Sequence, residues 1–478
     1  MKKNRLKPFL VIVLLIAATG ATMSYSSGKG KILLSNWVSA VPQPIPTKSE
    51  MVHISGNLVQ NKILQGSDGL VNLSLTLRAD DDLEQNTQAD RNVDMVIVLD
   101  RSGSMKGRKI KDARQAILNL LSRLSEKDRI ALIAYSDGVQ NYSGLLNVSK
   151  ANRKYLASII SGIQAAGATN LGSGLQEGIN TLLSRNRNRN SGKVILISDG
   201  LANRGITHPQ DLGSMAGIAI EKEFSISTVG VGVEFNEHLM TTIADRGTGT
   251  YYYLENPAAF AEVFEKEFYY SKATIADGVA VHIPLKDGIS LVNAAGYPIQ
   301  IQNGKAVFHP GSLLSGQTRK LFLTLRVPSH AQRKFEINNI KVSYFHNGQL
   351  FEIPLAESFE IACVKNQQEV FSSIDKTTWT EKVLQEDFNK LKQEIAGDIK
   401  AGKKSRALDR IDQYYNEKES LNAAVGSAEV TENLDKDLRQ LRNVVEDTFQ
   451  GAPAAVSRKQ KSNSKSLQYE GYSGRRQK

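Results

Sequence analysis

Cysteine is almost absent from this chain of 478 residues, since Cys363 is the only one. A single cysteine cannot form an internal disulfide bond, so the fold has to be stabilised by hydrophobic cores rather than by cross-links. Cys363 alternates with Phe359 and Ile361 in an apolar pattern, which predicts a small buried side chain rather than a nucleophile. The apolar fraction of 41% is sufficient for such cores, and the length predicts more than one domain.

Histidine is also scarce, with seven residues scattered along the chain. None has the spacing of a zinc ligand pair, and Glu237-His238 lacks the second histidine of a zinc-protease helix. The sequence therefore offers no evident general base. We predict that the protein is not an enzyme, and a metal-dependent hydrolase, in which a cation polarises a phosphoryl group, is a less favoured alternative.

Long hydrophobic runs are missing except near the start. Four basic residues precede the apolar stretch 9–18, and small residues follow it. This is the layout of a secretory signal, and the stretch is short for a membrane span. We expect residues 1–25 to be a signal peptide or an N-terminal anchor, which places the protein in the periplasm, at the cell surface or in the medium. No cysteine lies directly after the stretch, so we expect no lipoprotein anchor.

The excess of positive charge is confined to the two ends of the chain. Of the net charge of +11, residues 1–7 contribute four units and residues 457–478 contribute six, so the part between them is nearly neutral. A near-neutral body disfavours a nucleic-acid partner. The polar, basic composition of residues 451–478 predicts a disordered tail, which would contact a membrane surface or simply aid solubility.

The most informative stretch begins with the unbroken apolar run 95–99, which predicts a strand buried on both faces. Asp100, Ser102 and Ser104 follow it, and a helical pattern starts at Lys106. One carboxylate and two hydroxyls thus lie in a loop at the carboxyl end of a strand, where open α/β sheets bind ligands. The simpler interpretation is that Asp100 and Ser102 only cap the helix.

Two later loops supply further oxygen atoms. Thr169 lies in a glycine-flanked loop before the helical pattern 171–183, and Asp199 ends a second apolar strand, 194–197. Carboxylate and hydroxyl oxygens suit Mg²⁺, which needs about six ligands. The similar tripeptide at 136–138 lies between two short apolar runs and predicts a turn between adjacent strands.

The pattern Asp-x-Ser-x-Ser, followed by a threonine and an aspartate, resembles the metal-ion-dependent adhesion site of von Willebrand factor type A (VWA) domains. The resemblance covers residues 92–270. It implies that Asp100, Ser102, Ser104, Thr169 and Asp199 hold Mg²⁺, with Mn²⁺ or Ca²⁺ as alternatives. It also implies that the serines bind the ion directly, that the aspartates often act through water, and that a partner protein supplies an Asp or Glu carboxylate.

The predicted fold class is α/β: a doubly wound, mostly parallel sheet over residues 92–270, inserted in or followed by a β-sandwich over residues 271–365. Period-two patterns and two Asn-Gly turns, at 303–304 and 347–348, predict the sandwich. The strands predicted within residues 50–79 have no partners of their own, so we expect them to complete the sandwich. Residues 26–49 and 80–91 are predicted linkers.

The overall layout is similar to that of inter-alpha-trypsin inhibitor heavy chains and of bacterial calcium-activated-chloride-channel-like proteins. Residues 372–450 follow as a helical region with three apolar stripes, separated by Gly402 and later polar residues. A small antiparallel bundle is the expected arrangement. A coiled coil that binds a partner is the alternative, although sustained heptads are absent.

Three functions are compatible with these features. The favoured one is an exported adhesion or scaffold protein that uses the metal site to bind an acidic side chain. The second is an envelope-assembly scaffold acting through the helical region, and the third is the hydrolase. The predicted closing helix, 257–270, leads directly into the sandwich, so a movement of this helix would couple the two domains. The sequence does not define the oligomeric state.

Overall fold

The computed structural model describes residues 50–81, 92–185 and 190–476. The predicted signal and the predicted linkers at 26–49 and over most of 80–91 lie outside these ranges. Within them, no helix is both long enough and apolar enough to cross a membrane. The described chain begins with three strands: β1 (Val52–Leu58), β2 (Lys62–Leu64) and β3 (Leu70–Ala79).

A doubly wound sheet follows, as the alternation of apolar runs and helical patterns predicted. Its order is β10-β9-β8-β4-β5-β6, and β7 also pairs with β5. The pairs among β4, β5, β8, β9 and β10 are parallel, whereas β6 and β7 are antiparallel to β5. The elements are β4 (Val93–Asp100), α1 (Arg108–Arg123), β5 (Arg129–Tyr135), β6 (Val139–Asn141), β7 (Leu146–Asn147), α2 (Lys150–Gly162), α3 (Leu171–Leu183), β8 (Ser191–Ser198), α4 (Pro209–Ala216), α5 (Ile218–Glu221), β9 (Phe224–Val231), α6 (Glu237–Arg246), β10 (Thr248–Leu254) and α7 (Phe260–Ala273).

Strand β4 is buried along its whole length, because helices cover both faces of the sheet. Ile97 and Leu99 face a core shared with α1 and α7, whereas Val96 and Val98 face a core shared with α3 and α6. This explains why its sequence is continuously apolar rather than alternating. Functional side chains on this strand therefore have to come from the residues after Leu99, at the carboxyl end of the strand.

The β-sandwich combines strands that precede the doubly wound sheet in the sequence with strands that follow it. Strand β3 pairs with β16 over nine residues, so the strands before residue 80 join the sandwich as predicted. The sheets are β1-β3-β16-β12, β13-β14-β11-β18-β19 with β15 beside β11, and β17-β20-β2. The later strands are β11 (Thr274–Pro284), β12 (Ser290–Ala294), β13 (Gln300–Gln302), β14 (Lys305–Phe308), β15 (Leu313–Leu314), β16 (Thr318–Arg326), β17 (Lys334–Ile337), β18 (Lys341–His346), β19 (Gln349–Pro354) and β20 (Phe359–Val364).

Local features of the sandwich agree with the sequence patterns. Both Asn-Gly pairs form hairpin turns with positive φ at each residue, which is the conformation that a two-residue turn requires. Cys363 is buried and unpaired, as expected. Helix α7 ends at Ala273 and β11 begins at Thr274, so the doubly wound sheet is joined to the sandwich without a linker at this point.

The helical region contains α8 (Gln367–Phe371), α9 (Lys376–Lys382), α10 (Phe388–Lys400), α11 (Lys404–Val425), α12 (Ala428–Glu432), α13 (Leu438–Thr448) and α14 (Pro453–Arg476). Single π-helical turns connect α9 to α10 and α12 to α13. Gly402 has a positive φ between α10 and α11, which confirms its predicted role as a helix breaker. Ile395, Ile411 and Leu441 share one core, so the apolar stripes pack on one another.

The prediction of a disordered tail over residues 451–478 is wrong, because Pro453–Arg476 forms helix α14. Tyr472 and Arg476 are almost completely buried. Arg476 pairs with Asp245 of α6, and Arg475 pairs with Glu386. Arg475 and Arg476, two of the basic side chains that made this segment look unable to fold, pair with carboxylates distant in sequence, which local composition cannot reveal.

Candidate metal centre

The five predicted ligands lie at the carboxyl ends of two neighbouring strands and in the loop beside them. Asp100 is the last residue of β4, and Asp199 follows the last residue of β8. These strands are adjacent and parallel, with Leu99 opposite Ile197. Thr169 precedes Asn170, the N-cap of α3. The topology therefore brings to one edge of the sheet residues that are separated by about a hundred positions in the chain.

Asp100 is fully buried and its carboxylate is held from two sides. Its Oδ1 accepts a hydrogen bond from the Ser102 amide at 2.8 Å, and its Oδ2 accepts one from the Ser198 hydroxyl at 2.9 Å. Burial raises the pKa of Asp100 from 3.8 to about 6; hydrogen bonds from Ser102 oppose the rise, and the charge of Asp199 adds to it. Two neighbouring buried carboxylates of this kind favour a nearby cation.

Three of the predicted oxygens are already in direct contact. The hydroxyls of Ser102 and Ser104 lie 3.0 Å apart, and the Ser104 hydroxyl donates to Asp199 Oδ1 at 2.7 Å. Ser104 is exposed, whereas Ser102 and Asp199 are buried. The chain of oxygens thus runs from the interior to the surface.

The Thr169 hydroxyl lies near the Ser104 hydroxyl, although Thr169 belongs to the loop before α3. A Cβ placed on Gly200 would lie 3.4 Å from the Ser104 hydroxyl and 3.7 Å from the Thr169 hydroxyl. The loop is fixed to the first one by a hydrogen bond from the Gly103 amide to the Gly167 carbonyl at 2.9 Å. Gly167 has φ +87, and a Cβ there would lie 2.1 Å from the Asp137 carboxylate, so glycine is required for this approach.

The predicted turn at 136–138 is present between β5 and β6, and it also supports the site. Asp137 Oδ2 accepts a hydrogen bond from the Ala168 amide at 3.1 Å, and its carboxylate pairs with Arg204 at 3.3 Å. The Asn170 amide donates to the Ser136 carbonyl at 2.8 Å. This role of the turn in the site could not be predicted, because no local sequence pattern indicates that it orients the Thr169 loop.

Lys109 is the main residue at this site that sequence reasoning missed. Its ammonium group pairs with Asp199 Oδ2, the carboxylate oxygen that does not accept from Ser104. Lys109 is the second residue of α1, so the start of that helix brings it over the site. A positive charge in contact with Asp199 offsets part of the cost of burying that carboxylate. The ammonium would have to share Asp199 with any bound cation.

The donor set fits Mg²⁺. In the described ranges, no group of three or more His, Cys, Asp or Glu side chains could hold a metal ion. The assembled donors are instead two carboxylates and three hydroxyls, all of them oxygen. Such a set is unsuited to a zinc site and suited to a hard cation that retains some water.

Comparison with known proteins identifies the class. Residues 94–266 match the family model of the von Willebrand factor type A domain, and the doubly wound sheet occupies these residues. Residues 94–266 thus form a VWA domain, and the chain adds a β-sandwich and a C-terminal helical region to it.

Two relatives illustrate the range of similarity. The chain is 24% identical over 340 residues to inter-alpha-trypsin inhibitor heavy chain H3 of Mesocricetus auratus, covering 67% of this chain and 35% of that protein. It is 26% identical over 263 residues to the uncharacterized protein sll0103 of Synechocystis sp., covering 53% of this chain and 61% of that protein. The chain therefore spans less than two thirds of the length of each relative.

The solved structure titled von Willebrand factor type A from Catenulispora acidiphila has a similar fold over most of the molecule. It matches 89% of this chain and 97% of its own with a TM-score of 0.64. The sequence identity is 18%. A similar fold thus occurs in a second protein of very different sequence.

Proposed function

We propose that this protein binds other proteins through a divalent cation, Mg²⁺ in the first instance, held by Asp100, Ser102, Ser104, Thr169 and Asp199. The observation that carries the proposal is the convergence of these oxygens at one edge of the sheet, with Ser104 in contact with both Ser102 and Asp199. When bound, the cation would attract a carboxylate of the partner. Mn²⁺ or Ca²⁺ would suit the same donors.

The surface around Ser104 supports an acidic partner. Ser104 is the exposed member of the five, so a partner would approach from its side. Lys106 and Arg108 follow it and are also exposed, and Arg204 lies beside the Thr169 loop. Leu201, just after Asp199, is 58% exposed. A partner with an Asp or Glu next to an apolar side chain would match this combination of charge and apolar surface.

Metal binding is tested first, with the ion itself as the probe. Titration of Mg²⁺ into chelator-treated full-length protein should give one binding site by calorimetry. Asp100→Ala and Asp199→Ala should abolish the heat of binding, while Asp112→Ala, which removes a surface carboxylate of α1 paired with Arg108, should not. Equal binding by the wild type and both site variants would rule out the proposed ligand set.

Partner binding is tested with immobilised full-length protein exposed to an extract of its native envelope. A partner bound through the cation should be retained in Mg²⁺ and lost both in chelator and with Asp100→Ala. Circular dichroism must show the variant to be folded. A retained protein that is indifferent to both treatments would contradict the adhesion mechanism.

We also propose that the protein is exported, on the basis of the charged and apolar pattern in residues 1–25. Fractionation of the native cells should place the full chain outside the cytoplasm, and a form without residues 1–25 inside it. An identical distribution of the two forms would contradict export by this segment. Mass spectrometry of the exported protein would show whether the segment is cleaved.

A further inference from the structure

A polar cavity lies at the end of the doubly wound sheet that is opposite to the candidate metal centre. Its volume is about 70 Å³, and its lining includes Lys193, Thr248, Thr250, Tyr270, Gln317 and Arg319. Lys193 is near the start of β8 and Thr248 begins β10, whereas Arg319 belongs to β16 of the sandwich. The cavity is therefore enclosed jointly by the VWA domain and the sandwich.

Arg319 is the unusual residue of this cavity, since it is only 3% exposed. Its terminal nitrogens donate to the Pro310 carbonyl at 2.6 Å, the Ser312 carbonyl at 3.0 Å and the Gln317 side chain at 3.2 Å. All three acceptors are neutral. Its Nε makes no hydrogen bond within the described chain.

No carboxylate of the described residues forms an ion pair with Arg319. Burial lowers the pKa of Arg319 from its ordinary value, and interactions with Tyr297 and Tyr270 oppose part of this decrease. A buried charge without a charged partner is strongly unfavourable. Carbonyl dipoles offset part of this cost but leave the net charge in place.

The other cation of the lining is already neutralised. Lys193 Nζ lies 2.9 Å from Glu267 Oε2, and Glu267 is fully buried. The Tyr252 hydroxyl donates to the other oxygen of Glu267 at 2.7 Å. Among the described residues, the lining of the cavity consequently carries one net positive charge, that of Arg319, among hydroxyl-bearing side chains such as Thr248 and Thr250.

We propose that this cavity binds a small inorganic anion of the halide class, with chloride as the simplest occupant. An anion there would accept from the unpaired Nε of Arg319 and neutralise the guanidinium. The volume is sufficient, because one water-sized occupant needs about 10–15 Å³ of such space. Since residues of both domains line the cavity, the anion would stabilise their junction. Water is the competing occupant: it would satisfy Nε but not the charge.

The direct test is crystallographic, with bromide as the probe. Crystals of the full-length protein soaked in bromide should give an anomalous peak in the cavity within about 3.5 Å of Arg319 Nε, a distance typical of hydrogen bonds to large anions. Bromide peaks confined to the outer surface, or a water-like density with no anomalous signal in the cavity, would overturn the proposal.

A solution test uses the melting temperature at constant ionic strength, with gluconate replacing chloride because it is too large for the cavity. Raising chloride from about 5 to about 500 mM should raise the melting temperature of the wild type by about 2–4 °C, since a ligand specific to the native state stabilises it by mass action.

Arg319→Met should lose this chloride dependence, because the counter-charge is gone. The matched control is Arg326→Met, on the same strand but exposed, which should retain it. A chloride response that is equal in all three proteins would overturn the proposal. If Arg319→Met does not fold, the bromide experiment on the wild type decides the question alone.

Discussion

At the scale of single residues, Lys109 sets the charge balance of the candidate metal centre. Asp100 and Asp199 are both fully buried, and the Lys109 ammonium pairs with Asp199. A charged side chain tethered to the protein competes with a free ion for the same oxygen without losing translational freedom. The metal affinity of the site therefore depends on how readily Lys109 releases Asp199.

We expect Lys109→Met to raise the affinity for Mg²⁺ by about tenfold, which corresponds to removing about 1.4 kcal/mol of competition. Titration calorimetry of the chelator-treated protein measures this change. Lys111→Met, an exposed lysine on the same helix, is the control and should bind as the wild type does. Weaker binding by Lys109→Met would mean that the ammonium assists the site instead of competing.

The residues of the candidate site could be predicted because each follows an interpretable element. Asp100 and Asp199 end apolar strands, and Thr169 precedes a helical pattern, so parallel topology alone places them at one edge. Lys109, Ser198 and Asp137 could not be predicted. Their roles depend on rotamers and loop approaches, such as that of Gly167 to Asp137, which leave no periodic signal in the sequence.

At the scale of elements, α14 connects all three parts of the described molecule. Arg476 donates to Asp245 of α6 at 2.8 Å and to the Gly296 carbonyl of the sandwich at 2.7 Å. Arg475 contacts Glu386, next to α10, and Asn293 of β12. Tyr472 packs edge-on against Tyr251 of β10. The helix therefore fixes the VWA domain to both the sandwich and the helical region.

We expect Arg476→Met to lower the free energy of unfolding by about 3–5 kcal/mol, because it leaves the buried Asp245 without its cationic partner. Chemical denaturation of the full-length protein measures the loss. The double variant with Asp245→Asn should recover part of it, since the remaining amide needs no counter-charge. Arg458→Met, at an exposed position of α14, should be nearly neutral. Losses that simply add in the double variant would show that the two residues are not coupled.

Most elements, but not α14, could be predicted from sequence. Helix α3 has the bounds that its apolar period indicates, and both Asn-Gly hairpins form where expected. Each of these elements buries an apolar face, and the regular spacing of apolar residues in the sequence indicates that face. Helix α14 has few apolar residues, and its contacts include ion pairs such as Lys465 with Glu237 and Arg476 with Asp245. Ion pairs between residues more than 200 positions apart leave no signal in the composition of the sequence or in the spacing of its apolar residues.

At the scale of the whole molecule, one buried ion cluster makes the free energy of unfolding depend on pH in the acidic range. Asp387 lies between Lys382 and Lys418, at 2.5 and 2.9 Å. Burial raises the pKa of Asp387, but the two ammonium groups lower it by more, so that it falls from 3.8 to about 2. A carboxyl whose pKa is lower in the folded state than in the unfolded state stabilises the protein above its ordinary pKa and stops doing so as the pH falls through the folded value.

We therefore expect the free energy of unfolding to fall by about 1.5–2 kcal/mol between pH 4 and pH 2 through this group. Asp387→Asn should be less stable at neutral pH and should show a flatter profile over that interval. Denaturation at a series of pH values measures both effects. Asp435→Asn, at an exposed position of the helical region, should keep the wild-type profile, and an equally steep profile in Asp387→Asn would assign the acid sensitivity elsewhere.

The pairing of β3 with β16 has a consequence for how the chain reaches its native state. Leu75 meets Leu321 across that pair, so the chain between them must close a very long loop before the central sheet of the sandwich can form, and such closure is slow. The VWA domain contains mainly nearer contacts and lies entirely within the loop. We expect it to fold first and, by drawing Ala79 and Thr274 together, to act as an internal template that shortens the search for the remaining strands.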